Sequence, residues 1–311
     1  MHFDGTIWRP PYEADALLLQ VTAGCTHHAC KFCTLYEDLP FRFRLSPMAE
    51  IEADLQEAQL LCAGPLEQLS ARLQGLPVRE RFRRAFLVGA NPFVLHPRKL
   101  ETIAGRIRQY FPSIESIGCF ARVTDVARKS DGDLLALARL GYDGLTIGVE
   151  TGDDAALAFM NKGYAARDII RQAGRLDEAH IGYSFFYLAG ISGAGRGVEG
   201  AAKSAEVFNQ TRPRLIGSSM LTVFPNSALY RDIQQGNWAE EGELEKLAEL
   251  KALIERLAIE TRFVTDGASN LVQVRGNLPG DREKLVRRLG ELIETADEAQ
   301  LRHYRVNLRH L

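Results

Sequence analysis

The strongest constraint on the fold is an alternation of short apolar runs with helical patterns along residues 16–224. Each run is short and continuous, as expected for a strand that is buried on both faces. Five helical patterns separate the runs, which predicts parallel βαβ units with right-handed crossovers. An open doubly wound sheet and a barrel both satisfy this pattern. The six runs are 16–22, 85–90, 113–120, 144–150, 181–190 and 214–224.

Six units fall short of the eight in a full TIM barrel, so any barrel would be partial. Residues 236–311 do not continue the alternation: a long amphipathic helical pattern is followed by "SNLVQVRGNLPG" and a last helix from about Asp281. We therefore predict an α/β fold with a partial (β/α)6 TIM-type barrel over residues 1–235. Residues 236–311 would form a C-terminal helical and β extension that packs on the barrel.

The composition limits the classes of partner. Hydrophobic residues make up 46% and charged residues 25% of the chain, and the formal net charge is −2. This balance gives no electrostatic attraction to nucleic acid or to an anionic membrane, and no apolar run approaches the roughly 20 residues that span a bilayer. We expect a small-molecule substrate, with neither nucleic acid nor membrane as partner. Five cysteines with three bunched together favour a reducing compartment, the cytoplasm.

Cys25, Cys30 and Cys33 form a C-x4-C-x2-C cluster directly after the first predicted strand. A closed zinc site needs four ligands, and His27 and His28 lie inside the loop between two of the cysteines. An iron–sulfur cluster on three cysteines would leave one iron open to a substrate or cofactor. At this point a zinc- or iron–sulfur-binding module and an enzyme both remain open.

With Phe32 before its last cysteine, the cluster resembles the motif of the radical S-adenosylmethionine (SAM) superfamily, in particular the branch with oxygen-independent coproporphyrinogen oxidase and Elp3-like catalytic domains. The usual motif is C-x3-C-x2-C, so this chain has one extra residue. The resemblance implies a [4Fe–4S] cluster on the three cysteines, with SAM chelating the fourth iron. It also implies reductive cleavage of SAM to a 5′-deoxyadenosyl radical that abstracts hydrogen from the substrate, with an electron donor such as flavodoxin or ferredoxin. Methyl transfer from SAM is the alternative.

Further segments match the superfamily in the same order and imply contacts with SAM. The turn in "FLVGANP" would bind the SAM amino group through its backbone, and Glu150 would bind the ribose hydroxyls or the amino group. Lys162 would meet the carboxylate, with Arg122 as a second candidate, and the backbone at Gly190 would contact adenine. The residues implied in cofactor binding are Phe32, Gly89, Ala90, Asn91, Pro92, Arg122, Glu150, Lys162 and Gly190.

Three residues are candidates for contact with the substrate. Cys119 lies in an apolar strand and is most often a small core residue in such a place, although an inward-facing thiol near a radical could donate a hydrogen atom. Asn270 and Arg275 flank the β-like run "LVQV". Arg275 could hold a carboxylate or phosphate, which would make the substrate anionic. A surface arginine paired with Asp281 or Glu283 is the alternative.

Overall fold

The computed structural model describes residues 1–62, 69–70, 73–75 and 82–308. Its main feature is a mostly parallel sheet of eight strands, which corresponds to a partial TIM-type barrel. The strands are hydrogen-bonded in the order β1 (Leu17–Gln20), β4 (Arg84–Val88), β5 (Ser116–Ala121), β6 (Tyr142–Glu150), β7 (Tyr183–Ala189), β8 (Leu215–Met220), β9 (Thr261–Val264) and β10 (Arg275–Leu278).

Helices separate these strands up to β8, as βαβ units require. Within the described ranges the helices are α1 (Met48–Cys62), α2 (Pro97–Tyr110), α3 (Val123–Ala127), α4 (Asp131–Arg139), α5 (Asp154–Phe159), α6 (Ala166–Glu178), α7 (Gly197–Phe208), α8 (Ala228–Gln234), α9 (Glu243–Arg256), α10 (Arg282–Thr295) and α11 (Glu298–Val306). The start of α4 is fixed by its sequence, because Ser130 and Asp133 form a reciprocal capping box there.

All six predicted strands are present, each displaced by no more than a few residues. Two features were not predicted. A short antiparallel pair, β2 (Thr22–Gly24) with β3 (Phe43–Leu45), stands directly before and after the cysteine loop. Strand β9 continues the parallel sheet beside β8, and β10 pairs antiparallel with β9. The cysteine cluster therefore follows β2 rather than β1.

The "LVQV" run was predicted to be β-like and to lead into a turn that begins at Arg275. In the structure residues 271–274 lie outside the strand, and β10 begins at Arg275 itself, paired with Val264 of β9. Backbone pairing with β9 decides this placement, because an added strand gains hydrogen bonds along its whole edge. Residues 63–84 lengthen the first crossover, and their charged sequence predicts a solvated surface excursion. Of these, residues 63–68, 71–72 and 76–81 lie outside the described residues.

The chain divides into two compact units. The first comprises Met1–Thr26, Leu35–Ala121 and Arg128–Leu145. One of its apolar clusters is centred on Phe86 and Val88, against which Phe120 packs. The ring of Phe120 meets Phe86 edge-on at 5.1 Å between centroids.

The second unit comprises His27–Thr34, Arg122–Ala127 and Thr146–Leu311. Its apolar cluster of Met160, Leu188, Ile191, Leu221 and Leu229 has Phe32 packed against it. Residues from 236 onward fall within this unit, and the predicted domain boundary after residue 235 stays a prediction. No helix in the described part of the chain combines the length and apolar character needed to cross a membrane.

Candidate cofactor site

The cysteines of the C-x4-C-x2-C motif are thiols, and each has a partly exposed side chain. In the first unit, the backbone N–H of Cys25 donates to the carbonyl of Arg42 at 3.0 Å. In the second unit, the N–H of Cys33 donates to the carbonyl of Cys30 at 3.1 Å and closes a tight turn. Partly exposed thiols that carry no disulfide suit metal ligation, since the thiolate is the ligand.

Side chains from α5 and α8 hold the second-unit part of this loop. The N–H of Lys31 donates to the carbonyl of Met160 at 3.1 Å, and the N–H of Leu229 donates to the carbonyl of Lys31 at 2.8 Å. The ammonium of Lys31 forms an ion pair of 2.9 Å with Asp232 and lies 3.9 Å above the ring of Phe159. The loop backbone is therefore fixed by hydrogen bonds on both of its edges.

Asn161 fixes the same loop at a second point. Its side-chain amide donates to the carbonyl of Ala29 at 3.0 Å, and its own carbonyl lies 2.6 Å from His27 Nε2. The ring of His27 is engaged with backbone in this way, which fits the interpretation of this histidine as a loop residue rather than a metal ligand.

The turn after β4 has the close packing that its glycine allows. Gly89 has φ +124°, and a Cβ there would overlap the hydroxyl and carbonyl oxygens of Thr22. The Thr22 hydroxyl is buried and has no hydrogen-bond partner among the described residues. An unmet buried polar group next to a bare glycine backbone fits the polar ligand that the resemblance places at this turn.

Asn91 lies in the turn after β4, and its side-chain amide is hydrogen-bonded within the protein. It is fully buried, donates through Nδ2 to the hydroxyl of Thr26 at 2.8 Å, and accepts from the Thr26 N–H at 3.4 Å. This bond ties the turn to the residue after Cys25. Ala90 is half-buried beside it, and Pro92 begins a single 3-10 turn, Pro92–Val94.

Glu150 and Lys162 meet in the second unit. Glu150 is the last residue of β6 and adopts φ +63°, an uncommon conformation for a residue that is not glycine. Lys162 Nζ lies 3.1 Å from Glu150 Oε1 and also 3.1 Å from the carbonyl oxygen of Gly148. Burial alone would lower the pKa of Lys162, but the Glu150 carboxylate outweighs it, and the pKa is raised above its ordinary value.

Phe32, Arg122 and Tyr164 surround this pair, and Asp125 holds Arg122. Lys162 Nζ lies 5.7 Å from the ring centre of Phe32, and the Arg122 guanidinium donates to the Lys162 carbonyl. Asp125 accepts from the backbone N–H of Arg122, at 2.8 Å. Tyr164 was not predicted: its hydroxyl donates to the carbonyl of Gly148 at 2.8 Å, and burial raises its pKa to about 12. Its position two residues after Lys162 is the signal that could have found it.

Gly190 follows β7 with φ +92°, and its N–H donates to Glu249 Oε2 at 2.6 Å. Glu249 was not a sequence candidate, because it lies in the C-terminal region and no motif marks it. The second unit thus contains Cys30, Cys33, Phe32, Arg122, Glu150, Lys162 and Gly190, and the first contains Cys25 and the turn at residues 89–92.

Cys119 is fully buried in β5, opposite Leu87 of β4. It alternates with Phe120, so its thiol lies on the other face of the sheet from the Phe86–Phe120 contact. A fully buried thiol within a strand fits the interpretation of Cys119 as a core residue.

Asn270 and Arg275 occupy different surroundings. Asn270 is 7% exposed, its Nδ2 donates to the carbonyl of Ser218 at 2.7 Å, and its Oδ1 has no partner among the described residues. The Arg275 side chain is 58% exposed and pairs with Asp266 at 2.6 Å. The alternative prediction was a surface arginine paired with Asp281 or Glu283. In the structure Arg275 is such a surface arginine, but its partner is Asp266.

Within the described residues, no three His, Cys, Asp or Glu side chains converge on a point that could hold a single metal ion. A four-iron cluster takes one thiolate on each of three separate irons, so its ligands do not converge on one ion. As a donor set, three thiols fit a [4Fe–4S] cluster. Within the first unit, the unpartnered Thr22 hydroxyl and the bare backbone at Gly89 fit a polar ligand such as SAM.

Solved structures with a similar fold include radical SAM enzymes. The coproporphyrinogen III oxidase HemN of Escherichia coli is 14% identical with a TM-score of 0.54, over 78% of this chain and 52% of that one. The archaeal Elp3 of Methanocaldococcus infernus is 14% identical with a TM-score of 0.50, over 90% and 63%. The radical SAM methyltransferase TsrM of Kitasatospora setae, solved with cobalamin and a [4Fe–4S] cluster, is 17% identical with a TM-score of 0.52, over 71% and 39%.

This chain thus spans less than two thirds of the length of each of these three proteins, and the likeness to them shows the fold. A comparison with curated protein sequences gave no match. The family model described as the radical SAM superfamily matches residues 19–194, more than half of the chain, and this span includes the cysteine motif and every implied cofactor residue. The chain therefore belongs to the radical SAM superfamily, whose members are enzymes with a [4Fe–4S] cluster and SAM as cofactors.

Proposed function

We propose that this enzyme cleaves SAM reductively and uses the product radical to abstract hydrogen from a small or medium-sized substrate. The observation that supports this most is the match over residues 19–194, because that span contains both the cysteine triad and Glu150. The net charge of −2 supports a small substrate over nucleic acid.

The proposal gives each part of the chain a task. Cys25, Cys30 and Cys33 hold the cluster and leave one iron for SAM. When bound, the cluster and SAM supply the one-electron cleavage of a carbon–sulfur bond. The chain itself binds and orients: the backbone at residues 89–92 receives the SAM amino group, Glu150 the ribose, and the backbone at Gly190 the adenine.

The ion pair between Lys162 and Glu150 refines one of these assignments. Lys162 is already neutralised by Glu150 and bonded to the Gly148 carbonyl, so we assign it to holding the Glu150 carboxylate in place. Arg122 then becomes the first candidate for the SAM carboxylate, because the five N–H donors of a guanidinium exceed the contacts it makes with Lys162 and Thr124.

The remaining assignments concern partners. An electron donor such as flavodoxin or ferredoxin would reduce the cluster. The substrate would be a small molecule, and the buried Oδ1 of Asn270 offers an acceptor for a hydroxyl or N–H group on it. Arg275 was the candidate for holding an anionic group of the substrate. Its exposed ion pair with Asp266 gives little support to that role.

Anaerobic reconstitution tests the proposal. Cluster-loaded protein with dithionite and SAM should form 5′-deoxyadenosine slowly in the absence of substrate, and it should contain about four irons and four sulfides per chain. S-adenosylhomocysteine as the sole product would make the enzyme a methyltransferase. A colourless protein that retains zinc and binds no SAM would instead make it a metal-binding module.

A further inference from the structure

Helix α9 of the C-terminal region reaches the loop that follows β7. Glu249 on this helix accepts from the Gly190 N–H at 2.6 Å through Oε2, and from the hydroxyl of Tyr187 through Oε1. One turn earlier, Glu245 accepts from the N–H of Gly195. Two carboxylates of a single helix thus hold the backbone of this loop near both of its ends, residues 190 and 195.

The same helix packs against Gly190 without a gap. A Cβ at Gly190 would lie 2.8 Å from Lys246 Cε, which is closer than two carbon atoms can approach. Lys246 is itself fully buried and donates to the carbonyl of Leu221, directly after β8, at 3.2 Å. Helix α9 is therefore seated on the ends of β7 and β8 by direct contacts rather than through a flexible connection.

Two buried carboxyl groups, those of Glu241 and Glu249, lie close together because one of them carries a proton. Glu249 and Glu241 are both buried, and the two Glu241 oxygens have no hydrogen-bond donor among the described residues. An ionised Glu241 would be an uncompensated buried charge, which is costly. Burial raises the pKa of Glu241, and the adjacent Glu249 charge raises it further, so Glu241 keeps its proton.

Three cations lie among the acidic side chains around Glu249. Lys246 pairs with Glu240 at 3.0 Å, Arg302 pairs with Glu240 at 2.6 Å, and Arg305 pairs with Glu243 at 2.7 Å. Burial raises the pKa of Glu249 to about 7, and the hydrogen bonds from the Tyr187 hydroxyl and the Gly190 N–H act in the opposite direction. Both hydrogen bonds therefore favour the ionised carboxylate, which is the stronger acceptor.

We propose that Glu249 is a positioning residue for SAM: by holding the Gly190 N–H, it fixes the backbone conformation of the loop that receives adenine. This inference rests on the proposed function, which assigns adenine to the backbone at Gly190. Glycine loses more backbone freedom on being fixed than any other residue. A loop whose Gly190 is already held by Glu249 can bind SAM without the entropy cost of ordering that backbone.

The test measures SAM affinity rather than turnover. Equilibrium dialysis of SAM against anaerobically reconstituted protein would compare the wild type with Glu249→Ala, Glu249→Gln and Tyr187→Phe. Glu249→Ala should weaken SAM binding by about tenfold, the equivalent of one lost hydrogen bond to a charged group. Glu249→Gln keeps one acceptor and should weaken it less. Tyr187→Phe should stay within about twofold, because the Gly190 N–H keeps its acceptor.

Leu253→Ala is the matched control. Leu253 is fully buried on the same helix, and its apolar side chain cannot hydrogen-bond to the loop. It should lower the melting temperature at least as much as the Glu249 variants, while leaving SAM affinity and iron content unchanged. Should Glu249→Ala fail to fold, Glu249→Gln alone decides.

Two results would overturn the inference: wild-type SAM affinity in both Glu249 variants, or an equal loss of affinity in Leu253→Ala. Either leaves the proposed function intact, since the wild type still binds and cleaves SAM. A wild-type protein that loads iron but binds no SAM would instead overturn the proposed function itself.

Discussion

Lys162 and Glu150 form a buried ion pair at the end of β6, with 3.1 Å between Lys162 Nζ and Glu150 Oε1. Sequence resemblance gave them separate tasks on SAM, yet the fold joins them to each other. The left-handed backbone of Glu150 costs of order 1–3 kcal/mol and persists only where surrounding contacts hold it. Lys162 supplies such a contact, and it also prevents the Glu150 carboxylate from turning away.

Glu150→Gln should lower both the stability of the protein and its affinity for SAM. It leaves Lys162 buried without a counter-charge, so we expect a loss of about 3–5 kcal/mol in the free energy of unfolding. SAM affinity should fall while iron content is unchanged, because Glu150 is not a cluster ligand. Urea unfolding, equilibrium dialysis and an iron assay measure the three quantities. The double variant Glu150→Gln with Lys162→Met should recover much of the stability, and a double variant as unstable as the single one would contradict this account.

The cysteines should divide into two classes. Alanine at Cys25, Cys30 or Cys33 should abolish most iron binding and the absorbance of the cluster after anaerobic reconstitution. Cys119→Ala should retain about four irons per chain and lose about 1 kcal/mol of stability, as expected for a small buried side chain. Iron loss in Cys119→Ala as severe as in the triad variants would refute the model of three ligands and one open iron.

Gly89→Ala should be strongly destabilising, because its Cβ would overlap both oxygens of Thr22. We expect a loss of roughly 3 kcal/mol or more, from overpacking together with an unfavourable backbone conformation. Gly236→Ala is the matched comparison, since Gly236 also has a positive φ, +73°, but has no atom within 4 Å of its Cβ position. That variant should lose only about 1 kcal/mol. Equal urea midpoints for the two variants would show that the Thr22 contact is unimportant.

Arg275→Ala should change little. The ion pair with Asp266 is exposed, and such pairs contribute about 0–1 kcal/mol. Stability, iron content and substrate-free formation of 5′-deoxyadenosine should all match the wild type. Turnover of the substrate should be unchanged as well, and a large drop in turnover alone would return Arg275 to the substrate site despite its exposure.

Stability should depend on pH through Glu241. Burial raises the pKa of Glu241 from 4.5 to about 10, with the Glu249 charge as the second cause, and Lys246 acts in the opposite direction. The folded state therefore binds this proton more tightly than the unfolded state does. Its contribution to stability is complete below pH 4.5 and is lost as the pH rises towards 10.

Glu241→Gln isolates this effect, because an amide has a similar shape but does not titrate in this pH range. The stability of this variant relative to the wild type should rise by at least about 1.4 kcal/mol between about pH 6 and pH 9, the equivalent of one pKa unit. Urea unfolding at both pH values gives the difference. A constant difference would mean that Glu241 is ionised in the folded protein at neutral pH.

The sequence allowed the strands and the cysteine triad to be predicted because both are local patterns. An apolar run of six residues is legible by itself, and so is C-x4-C-x2-C. Strands β9 and β10 were not predicted, because runs of four residues are too short to show periodicity. Their pairing depends on neighbours elsewhere in the chain.

The contacts that hold the site were beyond local reasoning for a different reason. Glu249 meets Gly190 across 59 positions of sequence, and Asn91 meets Thr26 across 65. Neither residue is unusual for its surroundings in sequence: a glutamate in an amphipathic helix is ordinarily exposed. Only the packed fold shows that the Glu249 carboxylate lies inside it.

The bonds between Lys31 and helix α8 carry a consequence for the order of events during synthesis. Leu229 and Asp232 bind Lys31 through a hydrogen bond and an ion pair, and both lie far after the cysteines in the sequence. A growing chain presents its cysteine motif early and cannot brace it until α8 has emerged and docked. We therefore expect an N-terminal fragment that ends before α8 to retain less iron after anaerobic reconstitution than the whole chain does.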